Sequence, residues 1–209
     1  MKILVLGATG GTGRAIVRAA NDAGHAVTAL VRSSAKAADL QGATLIEGDA
    51  RDTASLTRAL DGCSGVISSL GTGLSPFNAV TLLLEATRAL VAAMRARQVR
   101  RLVCITGMGA GDSRGHGGFF FDRFFLPVLL RNVYRDKDRQ EAEVRASGLD
   151  WIIVRPTILN DKPARGHVRA LADLSGFHGG AIARADVADF VVAQLTADTW
   201  LHKAPLITW

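Results

Sequence analysis

The sequence predicts one α/β domain, a doubly wound parallel sheet with helices on both faces, from three observations. Short apolar, β-branched runs alternate with longer helical patterns from the first residue to about 155. These runs are continuously apolar rather than alternating, as expected of parallel strands covered on both sides. The length, 209 residues, suits a single such domain with a sizeable core and leaves little room for a second.

Strands are expected at 3–6, 27–31, 44–46, 66–70, 102–106 and 151–154, with helices at 11–24, 53–61, 76–97 and 127–147 between them. Ser75-Pro76 reads as an N-cap followed by proline at the first helical position, and Ser147-Gly148 as a C-terminal stop. A last helix, 186–197, starts at Asp186, which can cap it or favour its positive dipole end. Pro205-Leu206-Ile207-Thr208 is a possible closing strand. The stretch 107–118, with six glycines, and the stretch 176–180 are too irregular for core elements and are expected as loops. No repeat or linker interrupts the domain, 1–209. It is expected to carry a substrate-covering loop at 107–126 and a short substrate-side region at 157–209.

Composition narrows the function. With 48% hydrophobic and 21% charged residues the chain is an ordinary globular one and not a disordered one. Its greasiest stretch, Phe119 to Leu130, is interrupted by Asp122, Arg123 and Pro127, well short of the ~18 apolar residues of a membrane span. Lys2-Ile3-Leu4-Val5-Leu6 reads as a strand and not as a signal peptide, so a cytoplasmic location is expected. Cys63 and Cys104 read as buried reduced thiols. His25, His116, His167, His178 and His202 lack metal-ligand spacing, so no metal is expected.

The net charge of +6 raises the question of nucleic acid. The arginines are scattered, however, the densest groups being Arg95, Arg97, Arg100 and Arg101, then Arg131, Arg135 and Arg139. The second group is interleaved with Asp136, Asp138, Glu141 and Glu143, the pattern of a solvated helix face with i,i+4 pairs. A basic surface also suits an anionic cofactor.

The strongest motif is Gly7-Ala8-Thr9-Gly10-Gly11-Thr12-Gly13, after a strand and opening a helix. There the backbone must approach a pyrophosphate closely, and a Cβ at Gly10 would obstruct it. Amides at the helix start then point at the phosphates, helped by the helix dipole. This is the phosphate loop of a Rossmann-type dinucleotide site. After the second strand an NAD site commonly places an acid on the ribose, but Leu30-Val31-Arg32-Ser33-Ser34 has none. Arg32 can instead pair with a 2′-phosphate, with Ser33 or Ser34 donating a further bond, which favours NADP(H). Asp49-Ala50 ends the third strand, where a carboxylate can accept from the adenine amino group. Ser69-Leu70-Gly71-Thr72 ends the fourth, near the expected nicotinamide ribose.

GATGGTG, GDA after strand three, SSLGTG, the TG after Cys104-Ile105, and SGLDWIIVRP together resemble the NmrA-like, atypical branch of the short-chain dehydrogenase/reductases. Within it the chain is most similar to the biliverdin-IX-beta reductase/flavin reductase group, including bacterial proteins called NADH-flavin reductases. The similarity covers nearly the whole chain. It implies a seven- or eight-stranded sheet binding NADPH along its carboxyl edge. Gly7, Thr9, Gly10, Thr12 and Gly13 match the phosphate loop, Arg32 the 2′-phosphate site and Asp49-Ala50 the adenine contact. Leu70-Gly71-Thr72, Thr106 and Pro156-Thr157-Ile158 match the nicotinamide side.

The larger superfamily uses a serine with Tyr-x-x-x-Lys, the tyrosine protonating a carbonyl oxygen while the lysine lowers its pKa and holds the ribose. Tyr134 is the chain's only tyrosine; four residues on stands Asp138, and Lys137 comes one position early. A negative charge there should raise the tyrosine pKa. Thr106-Gly107 stands where a serine might follow the fifth strand, so the full triad is absent. Two readings remain. Direct hydride transfer to a stacked acceptor needs only a proton from solvent or a nearby side chain. Asp138 aligns near the position of a histidine in the flavin-reductase group, so Asp138, Tyr134 or Thr106 is a candidate. Alternatively, Tyr134 and Asp138 are structural.

Between Gly107 and Gly118 the glycines are expected to give mobility, and Phe119, Phe120, Phe121, Phe124 and Phe125 supply apolar area. They form either an aromatic wall for a planar acceptor or packing onto the core or a partner subunit. Met108, Phe120, Phe121 and Tyr134 are the candidate substrate contacts, although Met108, like Met94, also reads as core. The reading favoured is an NADPH-dependent reductase of a small planar conjugated acceptor, flavin, quinone or similar. The alternative is a non-catalytic NADP(H)-sensing regulatory protein. A nucleotide-sugar epimerase ranks last, because only about 50 residues follow strand six. The expected partner is a small-molecule acceptor, with neither nucleic acid nor membrane, in a monomer or homodimer.

Overall fold

The computed structural model describes residues 1–73, 79–119 and 121–209, leaving aside the side chains of Phe121, Phe125 and Leu126. The first half of the chain runs β1 (Lys2–Leu6), α1 (Gly11–Asp22), β2 (Ala26–Val31), β3 (Ala43–Glu47), α2 (Thr53–Ala59), β4 (Gly65–Ser68), α3 (Leu82–Ala96) and β5 (Arg101–Ile105). After a π-helical stretch, Phe121–Leu129, come α4 (Arg131–Arg145), β6 (Asp150–Pro156), β7 (Ile158–Asn160), β8 (Arg169–Leu171), β9 (Ala181–Ala183), α5 (Arg184–Ala193) and β10 (Leu206–Thr208).

The sheet has eight strands in the order β3-β2-β1-β4-β5-β6-β10-β8. All its pairings are parallel except that of β8 with β10. β7 and β9 form a separate parallel pair. Strand β1 sends its side chains alternately to two cores. Ile3 and Val5 pack with Ile16 of α1 and Val187 and Val191 of α5. Leu4 and Leu6 pack with Leu56, Leu90, Met94 and Val144 of α2, α3 and α4. Helices therefore cover both faces. The strand order reverses at β1, so the loops after β1 and β4 part at the carboxyl edge and leave a crevice there.

Several boundaries move for tertiary reasons. Strand β4 stops at Ser68, which frees Ser69–Thr72 for the crevice. The expected Ser75-Pro76 cap lies outside the described residues, and α3 is helical only from Leu82. Its first amides are capped from another helix: Leu83 and Leu84 donate to Asp136 of α4 at 2.8 and 3.3 Å. The expected helix 127–147 is α4 from Arg131, preceded by the π-helical stretch. Pro127 in that stretch has no N–H to give an α-helical ladder. Helix α5 begins at Arg184, and Asp186 lies in its first turn rather than at its cap.

The solvated charged face expected of α4 is also corrected. Asp136 is 0% and Glu141 3% exposed. Glu141 carries an i,i+4 contact, to Arg145 at 3.9 Å, but its shorter bonds reach other elements. Among the described residues no helix is long and apolar enough to cross a membrane.

Candidate functional site

A cleft of about 670 Å³ runs along the carboxyl ends of β1 to β4, lined by the glycine loop and by residues of each strand end. Two of its glycines are needed by the protein itself. Gly7 has φ +75°, and a Cβ on Gly7 or Gly13 would collide with the carbonyl of Ser69 or Gly7 respectively. Gly10 differs: a Cβ there would meet only the Gly7 carbonyl at 3.4 Å, ordinary contact. The space above Gly10 thus remains open on the cleft side. Gly10 is also the N-cap of α1, with no side-chain cap and no acid in the first turn. A positive helix end and a bare backbone floor fit a diphosphate.

Arg32 lines the cleft and is exposed at the end of β2. Ser33 sits beside it, half-buried, while the Ser34 amide donates to Glu47 Oε1 at 2.6 Å. An acid therefore does stand near the proposed 2′-phosphate position, supplied by β3 instead of β2. Val31 is paired with Glu47, so the register puts it there. Asp49 and Ala50 also line the cleft. Asp49 is held by Arg51 through Nε and Nη2 (2.6–3.2 Å), and those hydrogen bonds bring its pKa down to about 2. Its carboxylate is ionised and points at Arg51; any adenine contact must share it.

Ser69, Leu70, Gly71 and Thr72, after β4, also line the cleft. Thr72 Oγ1 is buried with no hydrogen-bond partner among the described residues. A buried hydroxyl left without a partner is costly, and a ligand polar group would satisfy it. Leu82, Leu159 and Arg184 complete the wall. The sequence reading missed all three, because they come from elements whose place over the cleft depends on the fold.

One strand over, at the end of β5, the polar groups are tied to each other. Thr106 Oγ1 donates to Glu141 Oε1 at 2.7 Å, and the Thr106 carbonyl accepts from Lys137 Nζ at 2.6 Å. Tyr134 is 8% exposed and its hydroxyl donates to the Met108 carbonyl at 2.8 Å. Burial, then the carboxylates of Asp122 and Asp138, push its pKa up to about 12. Burial pushes the Lys137 ammonium down to about 8, against the opposing pull of Glu141. Lys137 Nζ lies 4.9 Å from the Tyr134 ring centre. Both groups close on Gly107, whose Cβ position is 3.1 Å from Nζ and 3.8 Å from the tyrosine oxygen. The lysine judged one position early is the residue that meets the tyrosine. Asp138 turns away and accepts from the Gly111 amide (2.8 Å) and from Arg114 (2.7 Å).

Further bonds tie the first part of the glycine segment to its neighbours. The Met108 amide donates to the Pro156 carbonyl, Gly109 to Ser113 Oγ and Gly111 to Asp138. Asp112 pairs with Arg155, which is 2% exposed and bonds both oxygens of Glu141 at 3.0 and 2.5 Å. Positive φ at Gly107, Gly109, Gly111, Gly115 and Gly118 means that these glycines make sharp turns in a fixed path. Met108 is 3% exposed and belongs to the interior.

Of the expected aromatic wall, Phe120 and the side chains of Phe121 and Phe125 lie outside the described residues. Phe119 and Phe124 are exposed, at 71% and 53%, and meet edge to face at 6.3 Å. Past β6, Thr157 is 3% exposed and its hydroxyl bonds Thr208 of β10, so it serves the sheet and does not face the cleft. Pro156 ends β6, and Ile158 of β7 is exposed.

The NAD(P)H-binding family matches residues 7–198. The Uncharacterized sugar epimerase YhfK of Bacillus subtilis (strain 168) is 31% identical over 214 residues, 98% of this chain and 92% of that protein. The NAD(P)H azoreductase of Xenophilus azovorans is 31% identical over 156 residues, 74% of this chain and 47% of that protein. Among solved structures, ChuY, an anaerobillin reductase from Escherichia coli O157:H7, superposes with a TM-score of 0.83. Identity is 24%, covering 100% of this chain and 97% of that one, a likeness of fold.

Proposed function

This chain belongs to the NAD(P)H-binding family, and on that premise we propose an NADPH-dependent reductase that passes hydride to a small planar conjugated acceptor such as a flavin or quinone. The observation that carries the reading is the meeting of Lys137 Nζ and the Tyr134 hydroxyl at Gly107. It lies one strand beyond the end of the cleft, about 5 Å across the sheet. Burial brings the Lys137 pKa down to about 8, a value suited to proton transfer near neutral pH. A relative named as a reductase, the azoreductase, supports the same direction.

The bound nicotinamide would supply the hydride. Arg32 and Ser33 would hold the 2′-phosphate, Gly10 with the α1 amides the diphosphate, and Asp49 the adenine edge. Thr72 Oγ1 would find its partner on the nicotinamide ribose. Lys137 would donate the proton that accompanies the hydride and recover it from solvent, while Tyr134 fixes the Met108 carbonyl and the floor beneath the acceptor. Asp138 and Thr106 would act as anchors for the 106–114 segment. The epimerase reading suggested by the Bacillus subtilis name asks for a substrate region after β6. Here β8 and β10 extend the main sheet and α5 packs on α1.

The test is NADPH consumption with FMN, riboflavin and small quinones. Saturable turnover, reduced about 10²-fold or more in Lys137→Met, supports the reading. Tight NADPH binding without turnover of any acceptor would favour the cofactor sensor. Arg32→Asp should weaken NADPH far more than NADH; equal losses would remove the 2′-phosphate assignment.

A further inference from the structure

Arg184 is the first residue of α5, and its side chain crosses onto the glycine loop. A Cβ built on Gly11 would lie 3.0 Å from Arg184 Nε and 3.1 Å from its Cδ. The arginine lines the same cleft as Gly10 and Thr12, from the side opposite Arg32. Its base is fixed. Val187 and Val191 of α5 share a core with Ile16 and Val17 of α1. Asp186, 1% exposed, holds the start of α5 by accepting from the amides of Arg165 and Gly166 and from Trp209 Nε1.

The electrostatics of this placement are unfavourable without an anion. Arg184 stands over the first turn of α1, which has no acid and no side-chain cap, so its charge faces a positive helix end. Its ion-pair partner is Asp161 at 2.7 Å, whose side chain is 85% exposed while that of Arg184 is 28% exposed. An ion pair open to solvent on one side is worth at most about 1 kcal/mol. Such a pair explains neither the position over Gly11 nor the approach of a cation to the uncapped end of α1.

We propose that Arg184 is a ligand of the cofactor diphosphate, closing over the anion seated on Gly10 and the α1 amides, with Asp161 as its partner in the ligand-free protein. The inference rests on the dinucleotide reading and adds a clamp contributed by the last helix, about 170 residues from the phosphate loop. Arginine suits the role because its planar fork takes two phosphate oxygens at once. Binding would exchange a weak, solvent-exposed carboxylate contact for a diphosphate contact inside the cleft.

The test is equilibrium binding, read by fluorescence titration with NADPH and NADH and by competition with ADP and with adenosine. In Arg184→Met, which keeps an apolar stem on Gly11, NADPH, NADH and ADP should each weaken by about tenfold while adenosine is unchanged. Arg184→Lys should recover part of the loss. Asp161→Asn should leave affinity unchanged or raise it a few-fold. Equal weakening in Asp161→Asn and Arg184→Met would overturn the clamp, because the pair would then be acting as a structural tie. Unchanged NADPH and ADP binding in a folded Arg184→Met would overturn it too while leaving the cofactor site standing. No binding of either dinucleotide by the native chain would overturn both.

Discussion

At the carboxyl ends of β1 and β2 the polar groups face the cleft with little protein to hold them, whereas at the carboxyl end of β5 each is tied to a neighbour. Arg32 is exposed, the α1 amides carry no side-chain cap, and after β4 Thr72 Oγ1 is buried without a partner among the described residues. One strand further on, Thr106, Tyr134, Lys137, Glu141 and Arg155 form a chain of bonds that holds the 106–114 segment on α4 and β6. Groups that face the cleft keep hydrogen-bonding capacity for a ligand, whereas those after β5 use theirs within the protein.

The comparison is broken most easily at Glu141. Glu141→Ala would leave Arg155 buried with half its partners, and should lower stability by about 3–5 kcal/mol in urea unfolding. Arg32→Ala should cost under about 0.5 kcal/mol. Similar losses in the two variants would mean that the two sides are not built differently.

Lys137→Met comes next. On the proposed reading it should reduce turnover about 10²-fold and remove an alkaline limb expected near pH 8. The sign for stability is opposite. The folded-state pKa lies below the unfolded one, so burying the charge opposes folding below pH 8, and that penalty is relieved as pH rises toward 10.5. The melting temperature of Lys137→Met should therefore exceed the native value at pH 7, and the gap should narrow between pH 8 and 10.

Within the glycine loop, Gly13→Ala should destabilise by about 2 kcal/mol, because its Cβ would run into the Gly7 carbonyl. Gly10→Ala should leave unfolding within about 0.5 kcal/mol of native yet weaken NADPH binding at least tenfold. A Gly10→Ala protein that binds normally would show that the space above that residue is not the diphosphate seat. The smallest effect is expected at Glu47, whose carboxylate stands by Ser34. Glu47→Gln should shift the NADPH-to-NADH affinity ratio a few-fold toward NADPH by removing like charge from the 2′-phosphate.

Much of the binding side was legible because its signals are local. Gly7 to Gly13 form a turn, a cap and a helix start in seven consecutive residues, and Arg32 is placed by ending a strand. On α4 the signals are not local. Asp136, Glu141 and Asp138 looked like members of a charged surface ladder, yet their partners lie 53, 35 and 27 residues away on α3, β5 and the loop after it. Lys137 is already a helical neighbour of Tyr134, three residues on in α4; what the fold adds is Gly107, on which both groups converge.

The sequence by itself determined the α/β class, the strand positions and the phosphate loop, since hydrophobic runs and backbone-permissive glycines act on their immediate neighbours. Which charges are buried, and which arginine lies over the glycine loop, depended on contacts between elements far apart in the chain. A charge is neutral in its effect on local propensity, and its meaning is set by what the fold places against it.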